Sequence, residues 1–280
     1  MKPRTAWHPW VMLGPSLALL FVFFLFPIGV AAVASAFEWD LLTPPVYVGA
    51  ENYRSLSENG ELVGIALRTL AFSAMVVTGA MSLGLGLALL LDRRGPFFAF
   101  VRGSIFSAYV VSWVAVALLW MWILDPDGVA GRLFHVGFLG DPRSALVTLA
   151  FVTVWKITGY AMILFLAGLQ SLPKQLLEAA ALDGAGPVAR FRFVIWPHLR
   201  PTAAFVATTS LVISFQAFDV VRIMTQGGPA KSTTLFVYAI YEQIFLSLSV
   251  GKASALTVVF FAVLMSLAAL QLRAWRARAS

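Results

Sequence analysis

The apolar residues of this chain come in long uncharged blocks rather than in a stripe recurring every 3.6 residues. Pro9–Phe37, Thr69–Leu91, Gly103–Leu124, Pro201–Phe218 and Ala253–Leu272 carry no Asp, Glu, Lys or Arg, and Ser144–Pro173 is interrupted only by Lys156. A helix that is apolar all round has no face for water. Each block is close to the roughly 20 residues that cross a bilayer core. Only 12 % of residues are charged and 60 % are apolar, too little polar surface for a soluble domain of this size. The blocks predict an all-α membrane protein with six transmembrane helices in one domain spanning residues 1–280. The first block is too long for a cleaved signal peptide and no A-x-A-like site ends it, so it reads as a span.

Charge sets the expected orientation. Lys2 and Arg4 precede the first block. Glu38, Asp40, Glu51, Glu58 and Glu61 outnumber Arg54 in the first loop. Arg93, Arg94 and Arg102 outnumber Asp92 in the second. Asp125, Asp127 and Asp141 face Arg132 and Arg143 in the third, and Lys174, Arg190, Arg192 and Arg200 face Glu178 and Asp183 in the fourth. Arg273, Arg276 and Arg278 end the chain. Cations gather on the cytoplasmic side of membrane proteins, so both termini, the second loop and the fourth are expected there. The fifth loop, with Arg222, Lys231 and Lys252 against Glu242, does not discriminate. The net charge of +7 belongs to this pattern and does not point to nucleic acid.

The fourth loop, residues 170–200, is the most informative stretch. Ser171 can cap a helix with Pro173 in its first turn, and Gln175–Leu182 is rich in helix formers. Asp183-Gly184-Ala185-Gly186-Pro187 is a turn, and Val188–Ile195 can form a second short helix. Physics alone predicts a helix–turn–helix on the cytoplasmic face and does not say what it touches. An ordinary amphipathic connector would look the same.

Polar residues inside the blocks are the other candidates. Lys156 lies mid-block, where a charge costs at least ~2.5 kcal/mol and needs a cavity or a partner. Thr153 and Tyr160 share its helix face. Two readings stay open: a solute contact, or an ion pair with Asp219. Chemistry of other kinds finds little support. The chain has no Cys, which removes thiolate metal sites. His8, His135 and His198 are isolated, with no metal-site spacing. Asp125, Asp127 and Asp141 look like turn acids. No phosphate-binding loop is present, and Gly84–Leu87 lies within an apolar block, where small residues serve close helix packing.

Several elements resemble one family. Glu178-Ala179-Ala180, Gly184 and Pro197 match the EAA loop of ABC-importer permeases, with Val194 and Trp196 in place of the usual Ile and Leu. Val48-Gly49-Ala50-Glu51-Asn52-Tyr53 is similar to that family's VGLENY element, and Thr225-Gln226-Gly227-Gly228-Pro229 to its T-x-GGP element. Trp155 and Leu169-Gln170-Ser171-Leu172-Pro173 also fall in family positions. Together they resemble the carbohydrate-uptake permeases of the maltose and glycerol-3-phosphate type (MalF/UgpA-like). The resemblance implies the type I permease fold and half of a translocation pathway. It implies a second permease subunit (MalG/UgpE-like), two copies of an ATP-binding subunit and an extracytoplasmic solute-binding protein. ATP and Mg would bind the ATPase, so this chain would bind no cofactor and would not be an enzyme. Glu178, Ala179, Ala180, Asp183, Gly184, Gly186, Arg190 and Phe191 would couple to the ATPase. Thr153, Lys156 and Tyr160, with Ser210, Ser214 and Ala217 on the next block, would line the solute path. The expected solute is a carbohydrate, with glycerol-3-phosphate or a glycerophosphodiester as the alternative. An intramembrane enzyme would need a catalytic cluster that is not found. A secondary transporter would show repeats and broken helices and would leave the EAA loop unexplained.

Overall fold

The computed structural model describes residues 8–58, 60–134 and 137–279. Lys2, Arg4 and His135 lie outside them, as do the side chains of His8, Arg276 and Arg278. The chain is almost wholly helical: α1 His8–Leu20, α2 Phe26–Ala34, α3 Glu51–Glu58, α4 Glu61–Leu91, α5 Pro96–Val110, α6 Trp113–Leu124, α7 Val129–Phe134, α8 Pro142–Gln170, α9 Lys174–Leu182, α10 Pro187–Arg190, α11 Trp196–Phe215, α12 Asp219–Met224, α13 Phe236–Tyr241 and α14 Val250–Ala279. Five-residue π turns at Phe21–Leu25, Phe191–Ile195 and Glu242–Leu246 continue α1, α10 and α13. Phe37–Glu38 (β1) and Val46–Tyr47 (β2) form a short antiparallel ribbon.

Five helical segments among the described residues, not the expected six, are long and apolar enough to cross a membrane. They are Met12–Ala34, Glu61–Leu91, Trp113–Leu133, Pro142–Gln170 and Val250–Gln271. The missing one is Pro201–Phe218. It covers most of α11 and the break after it; the first turns of α11 carry His198 and Arg200, and its apolar run is diluted by Thr208, Thr209, Ser210 and Ser214. Several of these hydroxyls turn back onto their own helix: Thr208 donates to the Ala204 carbonyl at 2.9 Å and Thr209 to Phe205 at 3.0 Å. That satisfies them without water but leaves the segment less apolar. The third expected span, Gly103–Leu124, also differs. Val111 and Ser112 are extended, with ψ of 144° and 142°, so the block is split into α5 and α6.

The chain packs as two compact units, one of residues up to Gly64 and from Ala239 on, the other Ile65–Tyr238. In the first unit α14 packs on α2 and α3. The Asn52-Tyr53 pair of α3 locks it. The Asn52 side-chain amide donates to the carbonyls of Ser35 and Phe37, each at 2.9 Å, and the Tyr53 hydroxyl to Ser35 Oγ at 2.7 Å. Val250 N donates to the Trp39 carbonyl. Asp40 accepts from Thr43 N, Thr43 Oγ1 and Leu42 N, bonds that hold its carboxyl below the usual range. Phe23 and Phe24 are each 67 % exposed, apolar surface suited to lipid.

The second unit is built around α8. Of its apolar window 72 % is buried, against 22 % for α4, so it is the hub and its neighbours are the rim. Small residues let backbones meet it. A side chain at Gly159 would stand 2.5 Å from the Ile105 carbonyl of α5, and one at Gly84 would stand 2.6 Å from Ala161. The close packing expected of the Gly84–Leu87 run is therefore against α8. Phe165, Met162, Leu166 and Leu169 of α8 join Ala88, Leu199, Ala203 and Val206 in one apolar core.

Candidate functional site

Two places in the second unit concentrate polar groups where the sequence is otherwise apolar. The first is Lys156. It is 1 % exposed. Its ammonium donates to the carbonyls of Ala108 (3.3 Å), Tyr109 (3.1 Å) and Val111. It also lies 4.8 Å from the Trp113 ring centroid and 6.0 Å from that of Tyr109. These carbonyls belong to the last turn of α5 and the break after it, and the end of a helix leaves its final carbonyls without intrahelical partners. The lysine of α8 supplies them. The partners of Lys156 here are backbone carbonyls and rings rather than Asp219, so the ion pair open in the sequence is not the contact made. Tyr160, one turn on, stacks on Tyr109 with centroids 4.8 Å apart and planes at 18°, so the same face of α8 grips the same end of α5.

The second place is a cavity of about 260 Å³ lined by Trp113, Ile213, Gln216, Ala217, Phe218, Asp219 and Val220. It forms where α11 stops at Phe215 and α12 restarts at Asp219. The helical break turns Gln216 and Asp219 toward it.

The six residues expected along the solute path are distributed unevenly. Ala217 lines the cavity. Ser210 and Ser214 are buried. Ser214 Oγ donates to the Leu211 carbonyl at 2.7 Å, while Ser210 Oγ has no hydrogen-bond partner. Thr153 is buried and donates to the Leu149 carbonyl at 2.9 Å. Trp113, Gln216 and Asp219 were not picked from the sequence as path residues. The signal for two of them was present: Gln216 and Asp219 interrupt an apolar run, and polar residues persist at membrane depth only where they face a cavity or a partner.

The fourth loop folds as a hairpin. α9 ends in a left-handed residue, Gly184 at φ +75°. Ala185 N donates back to the Ala180 carbonyl and Gly184 N to Ala181, the closure that a glycine just past a helix allows. Arg190 Nε donates to the Ala185 carbonyl at 2.7 Å, tying the second helix to the turn. Ser171 does not cap α9, as its sequence position suggested. It closes α8, and its hydroxyl lies 3.0 Å from His198 Nε2, joining the two feet of the hairpin. Glu178, Ala179, Asp183, Gly184 and Gly186 are exposed, while Ala180, Arg190 and Phe191 are half-buried. Leu182 is 91 % and Val188 80 % exposed, an apolar tip left uncovered among the described residues. Among the described residues no group of three His, Cys, Asp or Glu could hold a metal ion.

Comparison with known proteins agrees with this architecture. The chain is 33 % identical to the sn-glycerol-3-phosphate transport system permease protein UgpA of Pectobacterium atrosepticum, over 96 % of this chain and 94 % of that one. It is 31 % identical to the protein of the same name from Rhizobium meliloti, over 95 % and 93 %. Its fold is similar to a chain of a bacterial ABC transporter involved in the import of the acidic polysaccharide alginate, with TM-score 0.79, 20 % identity and coverage of 95 % and 96 %. It is also similar to a chain of the MetNI methionine ABC transporter, with TM-score 0.59, 19 % identity and coverage of 77 % and 95 %. Residues 80–278 match the family described as binding-protein-dependent transport system inner membrane component. Apolar helices, the polar break beside Lys156, the glycine-closed hairpin and these matches lead to one conclusion: the chain belongs to that family, as a multi-pass, non-catalytic permease subunit of an ABC importer.

Proposed function

We propose that this subunit imports a phosphorylated polyol of the glycerol-3-phosphate kind. The observation that carries the reading is the match along nearly the whole chain to permeases named for sn-glycerol-3-phosphate, at 33 % and 31 % identity. It supports the alternative weighed from the sequence, glycerol-3-phosphate or a glycerophosphodiester, over the carbohydrate put first there. In this reading the chain forms half of a pathway with a second permease subunit. A solute-binding protein delivers from outside, and two ATPase subunits receive the α9–α10 hairpin. The exposed apolar tip at Leu182 and Val188 supports that last contact, because burying it is favourable. Thr153, Tyr160, Ser210, Ser214 and Ala217 belong to the solute path, joined by Trp113, Gln216 and Asp219.

One observation favours the carbohydrate instead. The cavity presents an indole, an amide and a carboxylate, and its lining includes no cation. Such a set suits hydroxyls better than phosphate. Uptake separates the two. A strain lacking its own systems, carrying this chain with its partner subunits and binding protein, should accumulate labelled sn-glycerol-3-phosphate, and excess neutral disaccharide should not compete. Accumulation of the disaccharide without the phosphate ester would establish the carbohydrate reading.

A further inference from the structure

Lys156 and the polar cavity share one residue. Trp113 opens α6, lines the cavity, and carries the Lys156 ammonium 4.8 Å from its ring centroid. An ammonium has three N–H donors, and three carbonyls receive them here, at Ala108, Tyr109 and Val111. In this conformation it has no donor to offer a solute. Only Val111 and Ser112, both extended, separate α5 from α6. Where the end of α5 is held therefore decides where Trp113 stands. The segment has no Pro or Gly to impose the break: Tyr109-Val110-Val111-Ser112 could continue as helix. A buried lysine that satisfies the freed carbonyls makes the broken form the stable one in surroundings without water.

We infer that Lys156 is a positioning residue of the solute path. It holds the α5–α6 break so that Trp113 walls the cavity with Gln216 and Asp219, and it acts through that indole rather than by touching the solute. The inference rests on the reading of the chain as a solute-conducting permease.

Because the chain has no Cys, one introduced thiol is the sole label site on this subunit, read after the subunits of the labelled complex are separated. The purified complex carrying Ala217→Cys is labelled with a small thiol reagent, and Asp127→Cys, in an exposed turn, is the control. Lys156→Met frees the wall, so labelling at position 217 should quicken about fivefold while position 127 stays within about twofold. Trp113→Ala should quicken position 217 by itself, and adding Lys156→Met to it should change the rate less than about twofold, because two changes acting through one group do not add. In uptake, Lys156→Met should raise KM with the maximal rate nearly unchanged. An unchanged rate at position 217, full additivity with Trp113→Ala, or equal quickening at both positions overturns the inference. If Lys156→Met does not assemble, Lys156→Gln, whose two N–H donors on a shorter chain keep part of the hold on the three carbonyls, replaces it, and a smaller quickening at position 217 is expected. Failure of both to assemble makes the lysine a structural support only and also overturns it. The labelling uses no solute, so a wild-type complex that does not import sn-glycerol-3-phosphate would refute the solute assignment and leave this result standing.

Discussion

At Gly184 the backbone stands at φ +75° with no neighbour within 4 Å of the place a side chain would take. Space is not the constraint there; handedness is. A β-branched residue in this region is strained by roughly 1–2 kcal/mol, whereas Asn tolerates it. Gly184→Val should therefore lose most uptake while the subunit still reaches the membrane, and Gly184→Asn should keep most of it. Membrane-fraction blots and uptake rates check both. Ser210 poses the opposite case. Its hydroxyl is buried and has no hydrogen-bond partner, so it contributes nothing to stability and costs some desolvation. Ser210→Ala should leave the melting temperature of the purified complex unchanged or slightly higher. If the hydroxyl serves the solute path, the same variant should still transport more slowly, and a melting temperature several degrees lower would show that Ser210 is structural instead.

At the scale of elements, packing depends on a few close approaches. The α5–α8 contact has no room for a Cβ at Gly159, which would meet the Ile105 carbonyl at 2.5 Å. Backbone cannot yield as a flexible side chain does, so Gly159→Ala should lower stability by about 1–3 kcal/mol. A lower melting temperature and poorer assembly would be the readout. In the first unit Gly251, at the start of α14, is tighter still: its Cβ would lie 2.0 Å from the Phe37 carbonyl and 2.8 Å from Asn52 Nδ2. There the Asn52 amide bridges the carbonyls of Ser35 and Phe37, just where α14 passes. Gly251→Ala and Asn52→Ala should destabilise the subunit by less in combination than the sum of the two, as changes at one contact do. Full additivity in thermal melts would mean the two sites are independent.

For the whole molecule the testable statements concern sidedness and completeness. The excess of cations in the second and fourth loops predicts that both face the cytoplasm. A cysteine at Ala189, the one thiol in the protein, should stay unlabelled by an impermeant reagent added outside intact cells, and should label in inside-out vesicles. Labelling from outside would reverse the topology. The subunit reconstituted alone should neither hydrolyse ATP nor accumulate solute, because in the proposed function the hairpin tip and half of the pathway need partner subunits. Activity of the single polypeptide would refute the half-pathway reading.

The sequence by itself determined much of this. Uncharged apolar blocks dictate membrane helices because lipid leaves a backbone no alternative. The hairpin was legible because Asp183-Gly184-Ala185-Gly186-Pro187 can hardly continue a helix, and the family was legible because its loop elements recur at their proper spacing. Tertiary structure decided what apolar composition conceals. Tyr109-Val110-Val111-Ser112 carries no Pro or Gly, and the carbonyls freed by the break there are met by the ammonium of Lys156, brought from α8. The end of α11 at Phe215 and the restart at Asp219 likewise leave Gln216 and Asp219 beside Trp113, a residue about a hundred positions earlier in the chain. Local composition states that a polar group is costly in lipid; which distant group offsets that cost is settled only when the helices pack.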